Sequence, residues 1–198
     1  MLLAAIRIAL TAGLCLVLAA LPLRAESIWR AGAYTFSDEL GGFRILSAGG
    51  SGSRDDPIVI TQELYSASPV TMVIRAAAPI RLYTFGGQFA NGFLHMVLVT
   101  VNASELAWTE FQFELQEKLG QPSVFGDGLS FDQRRTDSDT ITSAGFARFS
   151  RDFEPYDRLL FTDGFVDPGK QADFAFLISD FTPILTFFLV QDPRIPLS

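Results

Sequence analysis

The feature that most constrains the fold is a strict alternation of apolar and polar residues between positions 110 and 115. One side of an extended chain there carries only apolar residues: Phe111, Phe113 and Leu115. The opposite side carries only polar ones: Glu110, Gln112 and Glu114. Successive side chains of a β-strand point to opposite faces. The period of two therefore predicts a strand with one buried face and with its polar residues as a solvated stripe on the other.

A second strand signal lies just before it, in the nearly continuous apolar run Val97, Leu98, Val99 and Val101. Apolar and β-branched residues at successive positions are typical of a strand that is covered on both faces. Polar residues within positions 102–105 separate the two segments and favour a turn. The pattern predicts a hairpin at the middle of an all-β core, with the first segment as a central strand.

Further strand-like segments follow one another at intervals of about 8 to 15 residues. They cover residues 33–37, 43–47, 58–65, 70–75, 80–85, 145–149, 157–162, 172–179 and 184–191. Pro168 and Gly169 suit the central positions of a type II turn, which predicts a second hairpin between the segments 157–162 and 172–179. One helical turn is predicted at residues 116–119. The succession indicates an antiparallel β-sandwich, with a jelly-roll-like or an immunoglobulin-like topology.

The N-terminus has the three parts of a secretory signal peptide. Arg7 supplies the positive charge, residues 8–21 form an apolar run of about 14 residues, and the small Ala25 precedes the polar Glu26. A membrane span needs roughly 20 apolar residues, so the run is short for an anchor. We expect residues 1–25 to be cleaved, leaving residues 26–198 as a single domain with no stable membrane insertion. The expected location is periplasmic or extracellular, in a Gram-negative bacterium.

Charge and cysteine content exclude several classes of function. The chain has 15 basic and 22 acidic residues and a net charge of −7, and cleavage removes Arg7 and Arg24, which brings the charge to −9. An acidic surface repels a phosphate backbone, so nucleic acid is not an expected partner. The single cysteine, Cys15, lies in the signal segment, so the mature chain has no disulfide. Stability must come from packing, and the 19 phenylalanines are expected to fill the core.

Side chains for nucleophilic or metal-based catalysis are scarce. His95 is the only histidine, and a serine triad or a histidine metal site would depend on it. The glycine- and serine-rich stretch 48–57 leads into a β-branched segment and not into a helix, so it predicts a hairpin loop instead of a phosphate site. Glu110 and Glu114 would stand about 13 Å apart on one strand, too far for a glycosidase pair. We expect no catalytic residue and interpret His95 as a structural or surface side chain.

Acidic residues in predicted loops are the remaining candidates for a ligand site: Asp127, Asp132, Asp163 and Asp167. Carboxylate oxygens are ligands that calcium prefers. Their spacing fits no EF-hand, and Asp-Gly pairs are also ordinary turn signals, so a calcium site and simple turns both stay open. No other cofactor is predicted.

Several motifs together look like those of a set of exported bacterial proteins of unknown function. They are residues 41–47, residues 50–60, Asn102 with Trp108 and Phe111, residues 126–131, and Pro168 with Gly169. The asparagine followed by Trp-x-x-Phe and by Asp-Gly and Pro-Gly turns is similar to extracellular β-sandwich domains of surface-sorted bacterial proteins. The resemblance implies an exported β-sandwich and carries no activity with it.

These observations predict a secreted or periplasmic β-sandwich module that is not an enzyme. It would bind a protein or a glycan of the cell envelope, or have a structural role. The alternative is a carbohydrate-active hydrolase that uses carboxylates from residues 122–140 and their neighbours. An enzyme would place two carboxylates across a cleft, at least one of them removed from water, whereas a module would scatter its acids on turns.

Overall fold

The computed structural model describes residues 28–84, 87–132, 140–151 and 153–195. These residues form thirteen strands and no helix, in two sheets that pack face to face. The predicted β-sandwich is therefore confirmed. The predicted signal peptide, residues 1–25, lies outside the described residues.

In chain order the strands are β1 (Ile28–Ala31), β2 (Tyr34–Ser37), β3 (Phe43–Gly49), β4 (Ile58–Leu64), β5 (Val70–Ala76), β6 (Phe93–Asn102), β7 (Glu110–Gln116), β8 (Leu129–Phe131), β9 (Thr142–Ser143), β10 (Phe146–Ser150), β11 (Arg158–Gly164), β12 (Gln171–Asp180) and β13 (Thr186–Arg194). Sheet one has the order β1-β2-β5-β13-β7-β11-β10, and all its neighbouring pairs are antiparallel. Sheet two has the order β3-β4-β6-β12-β8, and β9 also pairs with β12. Its β4–β6 pair is parallel, because β5 between them in the chain belongs to the other sheet.

Both predicted long hairpins are wrong in the same way. β6 and β7 are strands, as predicted, but β6 lies between β4 and β12 in sheet two, while β7 lies between β13 and β11 in sheet one. β11 and β12 are likewise in different sheets. The predicted turn at Pro168 and Gly169 does form, with the Lys170 N–H donating to the Asp167 carbonyl at 3.0 Å. It leads across the sandwich instead of back along the same sheet.

The two crossings meet at one end of the sandwich, which we call the crossover end. The backbones of Trp108 and Val166 exchange hydrogen bonds of 3.0 and 2.9 Å. The fully buried Asn102 donates through Nδ2 to the carbonyls of Leu106 and Val166, both at 2.9 Å. Its Oδ1 accepts from the backbone N–H of Ser104 at 3.0 Å and from the Ser104 hydroxyl at 2.6 Å. One side chain thus satisfies buried backbone groups of both crossings.

Three smaller predictions also fail. Of the predicted strand 80–85, the described residues 80–84 form no strand, and a single bridge joins Ile80 to Ala90. The expected helical turn at 116–119 is instead the end of β7 and a tight turn, in which the Gln121 N–H donates to the Lys118 carbonyl at 2.9 Å. The weak strand signal and the polar residues of 122–144 predict a long surface loop, but its described part contains the buried strand β8, which pairs with β12.

The core between the sheets is built from phenylalanine, as the composition predicts. Phe174 of β12 is fully buried and lies at its centre. Its ring is 4.6 Å from Phe111, 5.1 Å from Phe113 and 5.0 Å from Phe161, measured between centroids. The predicted inward face of β7 is confirmed, because Phe111, Phe113 and Leu115 are fully buried.

The outward face of β7 does not form the predicted solvated stripe. Gln112 and Glu114 are each only 8% exposed. Arg158 Nε donates to Glu114 at 2.6 Å, and an Arg194 amino group donates to Gln112 at 2.6 Å. The apolar stems of the two arginines can cover the strand while their charged heads pair with it.

The outer face of β6 is more exposed than predicted, whereas the outer face of β7 is more buried than predicted. Val97, Val99 and Val101 alternate with fully buried neighbours and are only half-buried themselves. Within sheet two, Val97 lies between Val59 of β4 and Ala175 of β12. Contacts within the sheet, and not a second covering layer, account for this apolar run.

Candidate functional site

A pocket lies at the end of the sandwich opposite the crossover end, which we call the pocket end. Two long connections meet there: residues 50–57 between β3 and β4, and the described residues 77–84 and 87–92 between β5 and β6. The predicted hairpin at 48–57 is confirmed by the antiparallel pairing of β3 and β4. The N–H of His95 donates to the Gly52 carbonyl at 3.1 Å, which holds the first connection against the start of β6.

Glycine is required at two points where these connections approach other backbone. Gly50 has φ +93, and an added Cβ would lie 2.0 Å from the Pro57 carbonyl oxygen. Gly92 has φ +81, and a Cβ there would lie 2.2 Å from the Asp180 carbonyl oxygen. L-residues with side chains rarely adopt such φ values, so larger residues would open both connections.

The cavity, which we call the loop pocket, has a volume of about 230 Å³. Its walls come from β2, from residues 51–54, from residues 87–91 and from the first residues of β6. The aromatic side chains among them are Tyr34, Phe89 and Phe93, and the larger polar ones are Arg54, Asn91 and His95. The described residues that line the loop pocket include no aspartate or glutamate.

The aromatic walls are held in place by further rings and a cation. Phe93 lies 5.8 Å from the ring of Tyr83 on one side and 5.8 Å from Phe181 on the other, edge to face in the second case. The Arg81 guanidinium lies over the ring of Phe89, 4.6 Å from its centroid. Stacked and edge-to-face contacts of this kind fix ring orientation.

The polar groups of the loop pocket are partly desolvated. Burial raises the pKa of Tyr34 to about 12, so its phenol is neutral, and its oxygen accepts from the Gly92 N–H at 3.4 Å. Burial, and then the charge of Arg54, lower the pKa of the half-buried His95. His95 is therefore an uncharged imidazole at neutral pH. The Asn91 Oδ1 accepts from the Phe93 N–H at 3.0 Å, which leaves its NH₂ group to donate.

A second feature of the pocket end is a set of four acids, Glu117, Asp127, Asp157 and Asp180, which we call the acidic cluster. Burial raises the pKa of Asp157 to about 6; a hydrogen bond from the Ser130 hydroxyl opposes this rise, and the charge of Asp127 adds to it to a smaller extent. Burial likewise raises the pKa of Asp180 and of Glu117. Among the described residues, Asp157 Oδ2 is buried without a hydrogen-bond partner. Asp157 and Asp180 are thus partly removed from water, at a cost in stability.

The structure separates the four acids predicted as calcium ligands. Asp127 and Asp132 lie at the pocket end, whereas Asp163 and Asp167 lie near the crossover end. Asp127 accepts the N–H groups of Val124 and Leu129 at 2.9 and 3.0 Å, and the exposed Asp163 pairs with Arg148 at 3.1 Å.

Nothing among the described residues completes a metal site around them. Within residues 28–84, 87–132, 140–151 and 153–195, no group of three or more His, Cys, Asp or Glu can hold a metal ion. Calcium binding stays a prediction that has no set of ligands in this part of the chain.

The sequence alone does not reveal the loop pocket, because its walls come from separate segments of the chain. Considered separately, His95 indicates a structural or surface histidine, and residues 51–54 indicate part of a hairpin loop. The available signal was a pair of glycine-rich connections, 49–52 and 86–92, the second of which carries Phe89 and leads into Phe93.

Comparison of the chain with protein-family models, with curated proteins and with solved structures gives no match in any of the three. None of the described segments is a helix that is long and apolar enough to cross a membrane.

Proposed function

We propose that this protein is a non-enzymatic binding module that takes a glycan in the loop pocket. The observation that carries the proposal is the combination of aromatic walls with a few polar donors in one concave site. Binding sites for small molecules are typically concave, mostly apolar and furnished with a few convergent polar groups. A sugar ring offers an apolar face to an aromatic side chain and hydroxyl groups to polar ones.

The size of the loop pocket favours a single sugar ring over a peptide segment. Its volume of about 230 Å³ lies below the range of about 300 to 1,000 Å³ typical of sites for drug-sized ligands. One ring would fill it, and the rest of a chain would extend outward from the pocket.

A glycan array probed with the purified protein tests this proposal. Phe93→Ala removes one aromatic wall and should weaken binding to the glycans that the unmodified protein recognises. Phe149→Ala is the matched control, because Phe149 is 38% exposed on β10, at the far edge of sheet one. The proposal fails if the array gives no signal, or if the two variants bind alike.

We also propose that the protein is exported to the periplasm or beyond the cell. The N-terminal signal pattern and the resemblance to exported bacterial proteins support this location. Mass spectrometry of the protein recovered from an exporting Gram-negative host should give a chain that begins at Glu26. Recovery of an uncleaved chain from the cytosol would contradict it.

A carboxylate-dependent hydrolase is the second candidate, and the acidic cluster is the observation that favours it. A carboxyl group whose pKa is raised to about 6, like Asp157, is suited to act as a general acid near neutral pH. Two facts weigh against it: Asp180 is only 4% exposed, and both oxygens of Asp127 accept backbone N–H groups of a turn. A reducing-end assay on the array-positive glycans decides, since a hydrolase would release new ends and would lose that activity in Asp157→Asn.

A further inference from the structure

We propose that the loop pocket selects an acidic saccharide, holding the ring carboxylate with Arg54 and His95 and the apolar ring face with Phe89 and Phe93. This inference rests on the proposed glycan-binding function and names the class of glycan. It assigns a charge preference to a pocket in a protein whose own net charge is −7.

A cation and an imidazole both line the loop pocket. They are Arg54 and His95, which belong to different elements of the fold. The charge of Arg54 also contributes to the lowered pKa of His95, as expected for two side chains that line one cavity. An anionic group in the cavity would meet donors from both side chains, and the two acids that act on His95, Asp55 and Asp132, do not line the cavity.

Hydrogen bonds within residues 51–56 hold the segment that carries Arg54 in the absence of a ligand. Ser51 and Gly52 donate backbone N–H groups to Asp56, at 2.9 Å to its Oδ2 and at 3.0 Å to its carbonyl. The Asp56 N–H donates back to the Ser53 hydroxyl at 3.1 Å. A loop fixed in this way loses little conformational entropy on binding, which favours affinity.

The hydrogen-bond donors of Arg54 and His95 suit a carboxylate better than a neutral group. A guanidinium presents five N–H donors in a planar fork that matches a carboxylate, so Arg54 can bind a ligand while keeping contacts with the protein. A hydroxymethyl group at the same ring position offers no charge and gains no such bidentate pair. The imidazole of His95 adds one further N–H donor in its neutral form.

Binding of a carboxylate should change the titration of His95. The charged groups that face it are Arg54 and Asp55 from the connection 50–57 and Asp132 from the end of β8, while its β12 neighbour is the uncharged Leu177. An added ligand carboxylate would favour the imidazolium, so the pKa of His95 should rise in the complex. Affinity for the acidic sugar should then increase as the pH falls toward that pKa.

The test compares an oligogalacturonide with the same oligosaccharide after its carboxyl groups have been reduced to primary alcohols. Isothermal titration calorimetry with the full purified protein should give about tenfold tighter binding for the acidic form, the size expected for one charge-assisted pair. Arg54→Gln should weaken binding of the acidic form more than binding of the reduced form, because it removes the charge-assisted pair. Phe93→Ala should weaken both.

Two results would overturn the inference. Equal affinity for the two forms would remove the charge preference while leaving the glycan-binding function intact, and absence of binding to both would exclude this class of sugar while the glycan array decides the function separately. Arg54 is exposed, so Arg54→Gln should fold, which its thermal melting curve verifies. The ¹H titration of His95, with and without the oligogalacturonide, supplies an independent readout, and an unchanged pKa in the complex would count against the proposal.

Discussion

The two ends of the sandwich differ in how they treat buried polar groups. At the crossover end, Asn102 makes four hydrogen bonds and ties both chain crossings together. At the pocket end, carboxyl groups lie partly out of water, and among the described residues Asp157 Oδ2 has no partner. Satisfied buried groups stabilise a fold, whereas desolvated ones cost stability.

This difference separates the part of the molecule that fixes the topology from the part available for binding. The crossover end decides which sheet each of β6, β7, β11 and β12 joins, so its residues should matter most for stability. The pocket end combines two long connections, a cavity and groups with shifted pKa values, which are features of binding sites. Two exceptions on the crossover side of the described chain are the indole N–H of Trp108 and Oδ1 of Asp173 in β12, both of which are buried without a partner.

The largest expected effect is that of Trp108→Ala at the crossover end. Trp108 is fully buried and packs edge to face on Phe111, with centroids 5.3 Å apart. Its loss should reduce the free energy of unfolding by about 3 to 5 kcal/mol, measured by urea denaturation. Phe93→Ala at the pocket end is the control and should cost less than half as much, because Phe93 is only half-buried. Equal losses would remove the contrast between the ends.

A smaller loss is expected for Asn102→Ala. The substitution leaves the Leu106 and Val166 carbonyls without the donor of this side chain, at a cost of about 2 to 3 kcal/mol. Asn91→Ala removes one bond to the Phe93 N–H and should cost less than about 1 kcal/mol. Chemical denaturation of the two variants measures the difference. A larger loss of stability for Asn91→Ala would contradict the claim that the crossover end matters more for stability than the pocket end.

The smallest effect is a gain, expected for Asp157→Asn at neutral pH. The pKa of Asp157 is raised from 3.8 to about 6 in the folded protein, so the folded state binds its proton more tightly than the unfolded state. Stability from this group is therefore present at low pH and is lost as the pH rises from about 4 to about 6. Because the side chain is partly exposed, solvent screening leaves a gain of about 1 kcal/mol for the asparagine variant at pH 7.

Melting curves recorded between pH 4 and pH 8 check this prediction. The variant should show a smaller decline of the melting temperature across the interval than the unmodified protein. Asp163→Asn is the control, since it makes the same substitution at an exposed side chain of β11, where surface changes alter stability by no more than about 0.5 kcal/mol. A variant that is less stable than the parent at pH 7 would contradict the assignment of a destabilising carboxylate.

The sequence predicts the features of this fold that depend on neighbouring residues. The inward face of β7, the central position of β6, the Pro168–Gly169 turn and the β3–β4 hairpin follow from local alternation and turn chemistry. Strand partners do not, because alternation tells which side is buried and not which strand lies alongside. Gln112 and Glu114 appeared solvated for a related reason: Arg194 and Arg158, which cover them, are 82 and 44 residues away in the chain.

The candidate site was harder to predict than the fold. Arg54, Phe89 and His95 belong to different segments, and each alone has an ordinary structural interpretation. Only the approach of residues 50–57 to the start of β6, through the bond from His95 to Gly52, brings them together. The acids proposed as calcium ligands illustrate the reverse case, since they share a residue type but lie at opposite ends of the sandwich.

A ¹H–¹⁵N NMR titration of the protein with the oligogalacturonide tests the central claim most directly. The account predicts progressive shifts of the backbone resonances of Gly52, Asn91 and His95 at the pocket end, and unchanged resonances of Asn102 and Val166 at the crossover end. Shifts confined to the crossover end, or resonances that do not move at millimolar ligand, would contradict it.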